Sequence, residues 1–170
     1  MRDQEGHPMA TFTVWKFDQP EGADDAERLL LDAESDGLVT VVDRAVVSWP
    51  VGAKRPSTRH SEDAELRRDA GWGALWGLLF GALFFMPLLG AAAGAGIGAL
   101  HKALERVGIS PEQMDTLRWQ ITEGTSALFL VTEGTDLVRL GERLRGTSWV
   151  LMDSDLTDVE QARLLGILRG

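Results

Sequence analysis

The chain has 170 residues, no cysteine and a formal net charge of −9, and it is long enough for one domain with a buried core. The lack of cysteine excludes disulfides, thiolate metal sites and cysteine nucleophiles. The negative charge argues against a nucleic-acid partner, because phosphate binding requires clustered positive charge. Residues 1–10 have no apolar run and no cleavage signature, so they predict a flexible polar extension and not a secretory signal peptide.

The first half of the chain predicts a strand, a helix and a second strand. Thr11–Phe17 is rich in β-branched and aromatic residues and has strand character on both faces. Gly22–Asp36 has apolar residues at helical spacing, and Gly37 is well placed to end that helix. Val39–Trp49 predicts the second strand, with a bulge at Asp43 and Arg44.

The centre of the chain is dominated by an uncharged stretch, Gly71–Leu100. Its glycines recur at i, i+4 and i+8 on both sides of a predicted bend at Met86 and Pro87, so we interpret residues 61–107 as an apolar helical hairpin. Glycine rows let helices approach closely, and in a water-exposed helix each glycine costs about 0.5–1 kcal/mol relative to alanine. The predicted helix-packing or oligomerisation residues are Gly73, Gly77, Gly81, Gly90, Gly94 and Gly98.

The hairpin has two interpretations, one membrane-embedded and one buried in protein. The uncharged run is longer than the ~18 residues that usually indicate a membrane segment. Two arms of about 14 residues reach only ~21 Å, which is short of a ~30 Å hydrocarbon core. Three arrangements are compatible with this length: the hairpin spans the bilayer by recruiting flanking residues, it dips into one leaflet, or it packs into an oligomer. Basic residues flank the uncharged stretch at both ends, which favours a position of both ends of the hairpin on the cytoplasmic side of the membrane. The candidate membrane-interface residues are Trp72, Trp76, Arg67, Arg68 and Lys102, and the two tryptophans are equally compatible with ordinary packing.

The second half repeats the strand–helix–strand pattern after a further helix. Ser110-Pro111-Glu112-Gln113 predicts a helix start with a capping box, and Met114, Leu117 and Ile121 form the buried stripe of that helix. The elements that follow are a strand, a helix, a strand and an extra C-terminal helix, over Ser126–Thr132, Thr135–Arg145, Ser148–Asp153 and from Thr157 onward.

Two such units predict an α+β, ferredoxin-like fold, in which four antiparallel strands carry two helices on one face. The domain plan is then a first half over residues 11–60, the hairpin over residues 61–107 and a second half over residues 108–170. Within the first half, residues 51–60 are compatible with either a loop or a short exposed strand.

Four segments together resemble a bacterial family of unknown function, DUF1269. They are Thr13–Asp18 (TVWKFD), Val46–Pro50 (VVSWP), Gly77–Gly90 and Gly124–Val131 (GTSALFLV), and the resemblance extends from about Ala10 to Asp153. It implies a bacterial origin and membrane association, and it transfers no catalytic residue.

Constellations typical of an enzyme, a cofactor site or a metal site are not visible in the sequence. His7, His60 and His101 are isolated, which disfavours a histidine metal site. The run from Gly94 to Ala99 formally fits a dinucleotide fingerprint, but no strand precedes it. The acids of the first helix are explained by a solvated face, with a calcium or partner patch as the alternative. The basic cluster is compatible with acidic lipid headgroups or with a solvated loop; its members are Lys54, Arg55, Arg59, Arg67 and Arg68.

The sequence therefore predicts a non-enzymatic bacterial membrane protein that self-assembles through a glycine-zipper hairpin, with its α+β domain in the cytoplasm and a stress or envelope role. Membrane lipid and further copies of the chain are the expected partners, and neither a cofactor nor a small-molecule substrate is expected. The alternatives are a soluble homo-oligomer with the hairpin buried between subunits and a small-ligand sensor built on the sheet.

Overall fold

A computed structural model describes residues 11–60, 76–77, 79–85, 109–133, 137–143 and 149–154. Several predictions concern residues outside these ranges, namely the N-terminal extension, the last helix and part of the hairpin. The predicted site residues outside the described ranges are Gly73, Gly90, Gly94, Gly98, Met86, Pro87, Trp72, Arg67, Arg68 and Lys102.

The described residues contain a mixed α/β arrangement built on a five-stranded antiparallel sheet. The strands lie in the order β3-β2-β4-β1-β5, so β4 is central and pairs with both β1 and β2. The strands in chain order are β1 (Thr11–Phe17), β2 (Thr40–Ser48), β3 (Ser57–His60), β4 (Ser126–Glu133) and β5 (Trp149–Ser154).

In the described ranges, three numbered α-helices connect or flank these strands. Helix α1 (Gly22–Ser35) lies between β1 and β2, and α3 (Leu137–Arg143) lies between β4 and β5. Helix α2 (Pro111–Gln120) precedes β4. The two strand–helix–strand units that the sequence predicts are therefore confirmed.

Local sequence signals explain where several elements begin and end. Ser110 accepts a hydrogen bond from the backbone N–H of Gln113, whose side chain accepts from the Ser110 N–H, so the predicted capping box is present. Gly37 follows α1 with a φ of +72°, a conformation that favours glycine. In β2 the register with β4 shifts between Val41 and Asp43, so a bulge is present at Val42, just before the predicted position at Asp43 and Arg44.

Residues 51–60, which the sequence left open between loop and strand, contain the short edge strand β3. All four of its residues are exposed, and it pairs with β2 from Ala45↔His60 to Ser48↔Ser57. The sheet therefore has one strand more than the four that two strand–helix–strand units supply.

Both faces of the sheet are buried, because helices cover each of them. On one face, α1 and α3 contribute Ala26, Leu30 and Leu140 to a core with the strand residues Leu128 and Leu130. On the other face, Phe12, Phe129 and Val131 pack against residues from the central part of the chain. This second face explains why all but the last residue of β4 are buried.

The second face is covered by α2 and by residues 76–77 and 79–85, which we call the covering segment. Residues 76–77 and 79–80 are helical, and Gly81–Phe85 forms a π-helix. The sequence predicted a regular α-helical arm here, so this turn is a correction. π-Helices occur mostly as single widened turns, and in this one the carbonyls of Ala82 and Leu83 accept hydrogen bonds from Arg118 of α2 (2.9 and 3.3 Å).

Candidate packing surface on the covering segment

The inner side of the covering segment is aromatic and packs against the sheet. The Trp76 ring stacks on Phe80 with a centroid distance of 5.7 Å, and Phe80 meets the edge of Phe129 at 5.2 Å. Phe12 completes the cluster at 6.3 Å from Phe129. Such pairs contribute about 0.5–1.5 kcal/mol each beyond the area that they bury, so this contact belongs to the protein core.

A buried hydrogen bond fixes the position of the segment on the sheet. Asp43, at the bulge of β2, accepts from Trp76 Nε1 through Oδ2 (2.9 Å) and from the Arg44 N–H through Oδ1 (2.8 Å). The side chains of Asp43 and Trp76 are both buried. Because a buried indole N–H or carboxylate without a partner costs about 1–3 kcal/mol, the pair favours one register of the segment on β2.

Trp76 is therefore a correction to the predicted membrane-interface residues. Its ring lies in the protein core with only 1% of its surface exposed, because the bulge of β2 supplies a carboxylate for its indole N–H. Ordinary packing, the alternative interpretation of this tryptophan, describes its surroundings. Among the described residues, no helix combines the length and the apolar character that crossing a bilayer requires.

The outer side of the segment carries the two described glycines of the predicted zipper. Gly77 is exposed and Gly81 half-buried. A Cβ atom built on either glycine meets no described heavy atom within 4 Å beyond the helix's own backbone. Large side chains thus face the sheet, and none of the described atoms beyond the helix's own backbone lies close to Gly77 or Gly81 on the other side.

A second group of charged residues lies where α1 crosses β2 and β3. Glu27, whose side chain is 10% exposed, pairs with Arg44 (2.8 Å) and with Arg59 (2.7 Å). Arg59 also pairs with Asp24 at 2.5 Å. Burial acts to raise the pKa of Glu27, but the hydrogen bonds and charges of Arg59 and Arg44 outweigh it and place that pKa below its ordinary value.

The geometry of the ionic group is that of a structural contact between α1 and the strands β2 and β3. Its carboxylates and guanidinium groups pair with one another, as in structural ion-pair networks. Arg59 was part of the predicted basic cluster, but its positive charge is matched by Asp24 and Glu27.

The described residues can be compared with the requirements of a metal site and of a ligand pocket. No group of three or more histidine or acidic side chains there could hold a metal ion. A shallow depression of about 460 Å³ lies beside α3, lined by Leu38, Arg139, Glu142 and Arg143. Arg143 already pairs with Asp36 there.

Sequence reasoning missed Asp43 and Arg118, two polar side chains that hydrogen-bond to the covering segment. The signal for Asp43 was an acid within an otherwise apolar strand, which suggested a bulge but not its partner. Arg118 had no signal, since an arginine near the end of a helix is ordinarily explained by the helix dipole.

The described residues thus form a mixed arrangement of α-helices and an antiparallel β-sheet, with helical residues on both faces of that sheet. The chain belongs to the DUF1269 family, proteins of unknown function, whose family model matches residues 70–169. The matched range confirms the suspected family, but it leaves out Thr13–Asp18 and Val46–Pro50 and continues past Asp153. Searches of curated proteins and of solved structures found no match.

Proposed function

We propose that the protein is a non-enzymatic assembly module that associates with further copies of itself through the outer side of the covering segment. The observation that carries this proposal is the division of that segment into two sides. Trp76, Phe80 and Leu83 are buried against the sheet, whereas no described atom beyond the helix's own backbone lies within 4 Å of a Cβ built on Gly77 or Gly81. A helix that keeps glycines on its outer side sacrifices stability as a monomer, and close helix packing between copies compensates for that cost.

The sequence extends this glycine surface beyond the described residues. Gly73 continues the same row on the N-terminal side, and Gly90, Gly94 and Gly98 repeat the spacing farther along. In this proposal the two rows pack against each other within or between chains, as a glycine zipper, with the chain direction reversing near Met86 and Pro87.

Light scattering on the purified chain tests the assembly. Gly77→Leu fills the surface with a bulky side chain, and because no described atom lies within 4 Å of the new Cβ, the fold of the subunit should persist. The variant should have a lower molar mass than the wild type at the same concentration. Thr116→Leu, which adds the same side chain at an exposed position of α2, is the matched control and should leave the mass unchanged.

Two results would exclude assembly through this surface. One is a wild-type chain that stays monomeric over the whole concentration range. The other is an oligomer whose mass is the same with and without Gly77→Leu, which would place the contact elsewhere on the molecule.

A second candidate function is attachment to a membrane, with the sheet on the cytoplasmic side. The observation that favours it is the length of the uncharged stretch, Gly71–Leu100. Since the covering segment lies on the sheet, residues 86–100 remain as the part that would enter lipid, and 15 residues span only ~22 Å as a helix. This length suits entry into one leaflet better than a crossing.

Membrane fractionation with an alkaline carbonate wash, without detergent, separates the two candidates. Retention in the pellet, with aggregation excluded by flotation, supports attachment. Release as a discrete oligomer supports assembly in solution.

We also infer that the fold is ferredoxin-like. Its support is the order β2-β4-β1-β5 within the sheet, with α1 and α3 joining the strands of each unit. The covering segment would then occupy the face of the sheet that two strand–helix–strand units leave free.

A further inference from the structure

The edge strand β3 is held on the sheet without apolar side chains of its own. Its four residues, Ser57–His60, are polar and all of them are exposed. Its attachment consists of backbone pairing with Ala45–Ser48 of β2 and of polar side-chain contacts. A short strand of this kind opens locally at a low free-energy cost, because its departure exposes little apolar surface.

The shortest side-chain contacts of β3 in the described structure are those of Arg59. Its Nη2 donates to Asp24 Oδ1 (2.5 Å) and to Glu27 Oε2 (2.7 Å), and both acids belong to α1. Ser57 Oγ donates to the Ser48 carbonyl over a longer distance (3.3 Å). Because hydrogen bonds between charged groups are stronger than those between neutral ones, Arg59 supplies most of the side-chain attachment of the strand.

The two carboxylates that bind Arg59 remain compensated when it leaves. Glu27 keeps its pair with Arg44 of β2 through its other oxygen, Oε1 (2.8 Å). The side chain of Asp24 is 40% exposed, so water can replace the guanidinium. A broken ion pair is most costly where a buried charge loses its only partner. That cost does not arise here, and the contact can therefore open and close.

The turn before β3 defines where an opening begins. Trp49 Nε1 donates to the Ala53 carbonyl (2.9 Å), and the N–H of Gly52 donates to the Glu123 carboxylate. These contacts hold the start of the connection between β2 and β3 against the loop that precedes β4. An opening of β3 thus begins after Ala53 and leaves the turn in place.

We propose that β3 is a detachable edge strand and that Arg59 is the latch that holds it on β2. In the closed state β3 covers the outer backbone groups of Ala45–Ser48. In the open state these groups are exposed on a strand that contains the apolar residues Val46 and Val47, and an uncovered edge of this kind pairs readily with another strand. The latch controls access to the edge of β2, and it is independent of the proposed assembly through the covering segment.

Amide hydrogen exchange, measured by NMR on the full chain over a range of low urea concentrations, tests this proposal. The amides that bond β2 to β3 should exchange at least about tenfold faster than those of the central strand β4. Their exchange should also depend little on urea, because local opening exposes much less surface than global unfolding does. The same urea dependence in both sets of amides would overturn the proposal, since β3 would then open only when the whole protein unfolds.

Two variants test the role of Arg59. Arg59→Gln should speed exchange of the amides between β2 and β3 about fivefold or more, because it removes charged hydrogen bonds that exist only in the closed state. Arg28→Gln is the matched control and should leave their exchange unchanged, since Arg28 pairs with Asp25 of its own helix (2.6 Å). An unchanged rate in Arg59→Gln, or equal acceleration in both variants, would show that Arg59 is not the latch.

Salt provides a test on the unmodified chain. Raising sodium chloride from about 0.1 M to about 1 M shortens the Debye length from roughly 10 to 3 Å and weakens partly exposed ion pairs. Exchange between β2 and β3 should become faster in the wild type and should not respond in Arg59→Gln. The same response to salt in both proteins would overturn an ionic latch at Arg59.

Discussion

The two faces of the sheet are covered by helical residues from different parts of the chain, and the side chains that pack against each face differ in type. Helices α1 and α3 are short connections between strands, and α1 approaches its face through the small residues Ala23, Ala26 and Ala33. The opposite face is covered by the long connection between β3 and β4, which fills it with the aromatic rings of Trp76 and Phe80.

The polar contacts of the two faces differ in the same way. Beside α1 they form an ion-pair network at the rim, where Arg59 remains half exposed. On the aromatic face the contact between Asp43 and Trp76 is buried. The comparison teaches that packing on the α1 face depends on a close approach of the helix backbone and on charge pairs at the rim. Packing on the other face depends on the volume of the aromatic rings.

The largest expected effect is the loss of a ring from the aromatic face. Phe129 is fully buried and contacts Phe12, Trp76 and Phe80. Phe129→Ala should lower the free energy of unfolding by about 3–5 kcal/mol, because the cavity left by the ring adds to the lost transfer energy. Urea denaturation with fluorescence detection measures this change.

The control for Phe129→Ala is an aromatic residue outside the core. Trp119→Ala should change the free energy of unfolding by less than about 0.5 kcal/mol, since Trp119 is exposed. Equal losses in the two variants would show that the second face is not packed as described.

The next effect concerns the ion pairs on the α1 face. Because the pKa of Glu27 is lower in the folded state than its ordinary value of 4.5, Glu27 stabilises the fold fully above the unfolded pKa. That stabilisation is lost as the pH falls through the lowered folded pKa. Glu27→Gln should therefore cost roughly 1–3 kcal/mol at neutral pH and flatten the loss of stability in acid.

Thermal unfolding as a function of pH measures the contribution of Glu27. Asp25→Asn is the matched control, because Asp25 is an exposed acid of the same helix and pairs only with the exposed Arg28 among the described contacts. A Glu27→Gln variant whose stability falls in acid as steeply as that of the wild type would show that the network contributes nothing.

The sequence predicts the individual helices of both faces well, but it does not predict what the central uncharged stretch packs against. Apolar spacing in Gly22–Asp36 and the capping box at Ser110 are local signals, so the helices that they define were confirmed. Whether an uncharged stretch packs against protein or enters lipid is not determined by its local sequence. The sequence around Trp76 is compatible with a position in lipid and with a position against a sheet. The hydrogen bond of Trp76 to Asp43, 33 residues away, distinguishes the two.

The candidate surface was predictable only in part for a related reason. The glycine spacing predicts a helix side without side chains, and a Cβ built on Gly77 or Gly81 meets no described atom within 4 Å beyond the helix's own backbone. Packing of that side against another helix stays a prediction. The widened turn at Gly81–Phe85 was not predictable, because Arg118, which hydrogen-bonds to its carbonyls, comes from a separate helix.

The smallest effect tests whether the outer side of the covering segment faces water or another copy. Gly77 has room for a Cβ and no unusual φ, so in a dilute, monomeric sample Gly77→Ala should raise the free energy of unfolding by about 0.5–1 kcal/mol. In an assembled sample the added methyl group meets the packed helix, and the gain should shrink or reverse. Calorimetric unfolding over a range of concentrations follows this change of sign.

Gly37→Ala is the matched control for Gly77→Ala, because Gly37 also has open space around it but has a φ of +72°. The new side chain is strained there, so this variant should lose about 1–2 kcal/mol at every concentration. A Gly77→Ala gain that is independent of concentration would mean that the glycine side stays in water. The stability lost to Gly77 and Gly81 would then have no compensation from assembly, and the glycine side would have to be explained without a second copy of the chain.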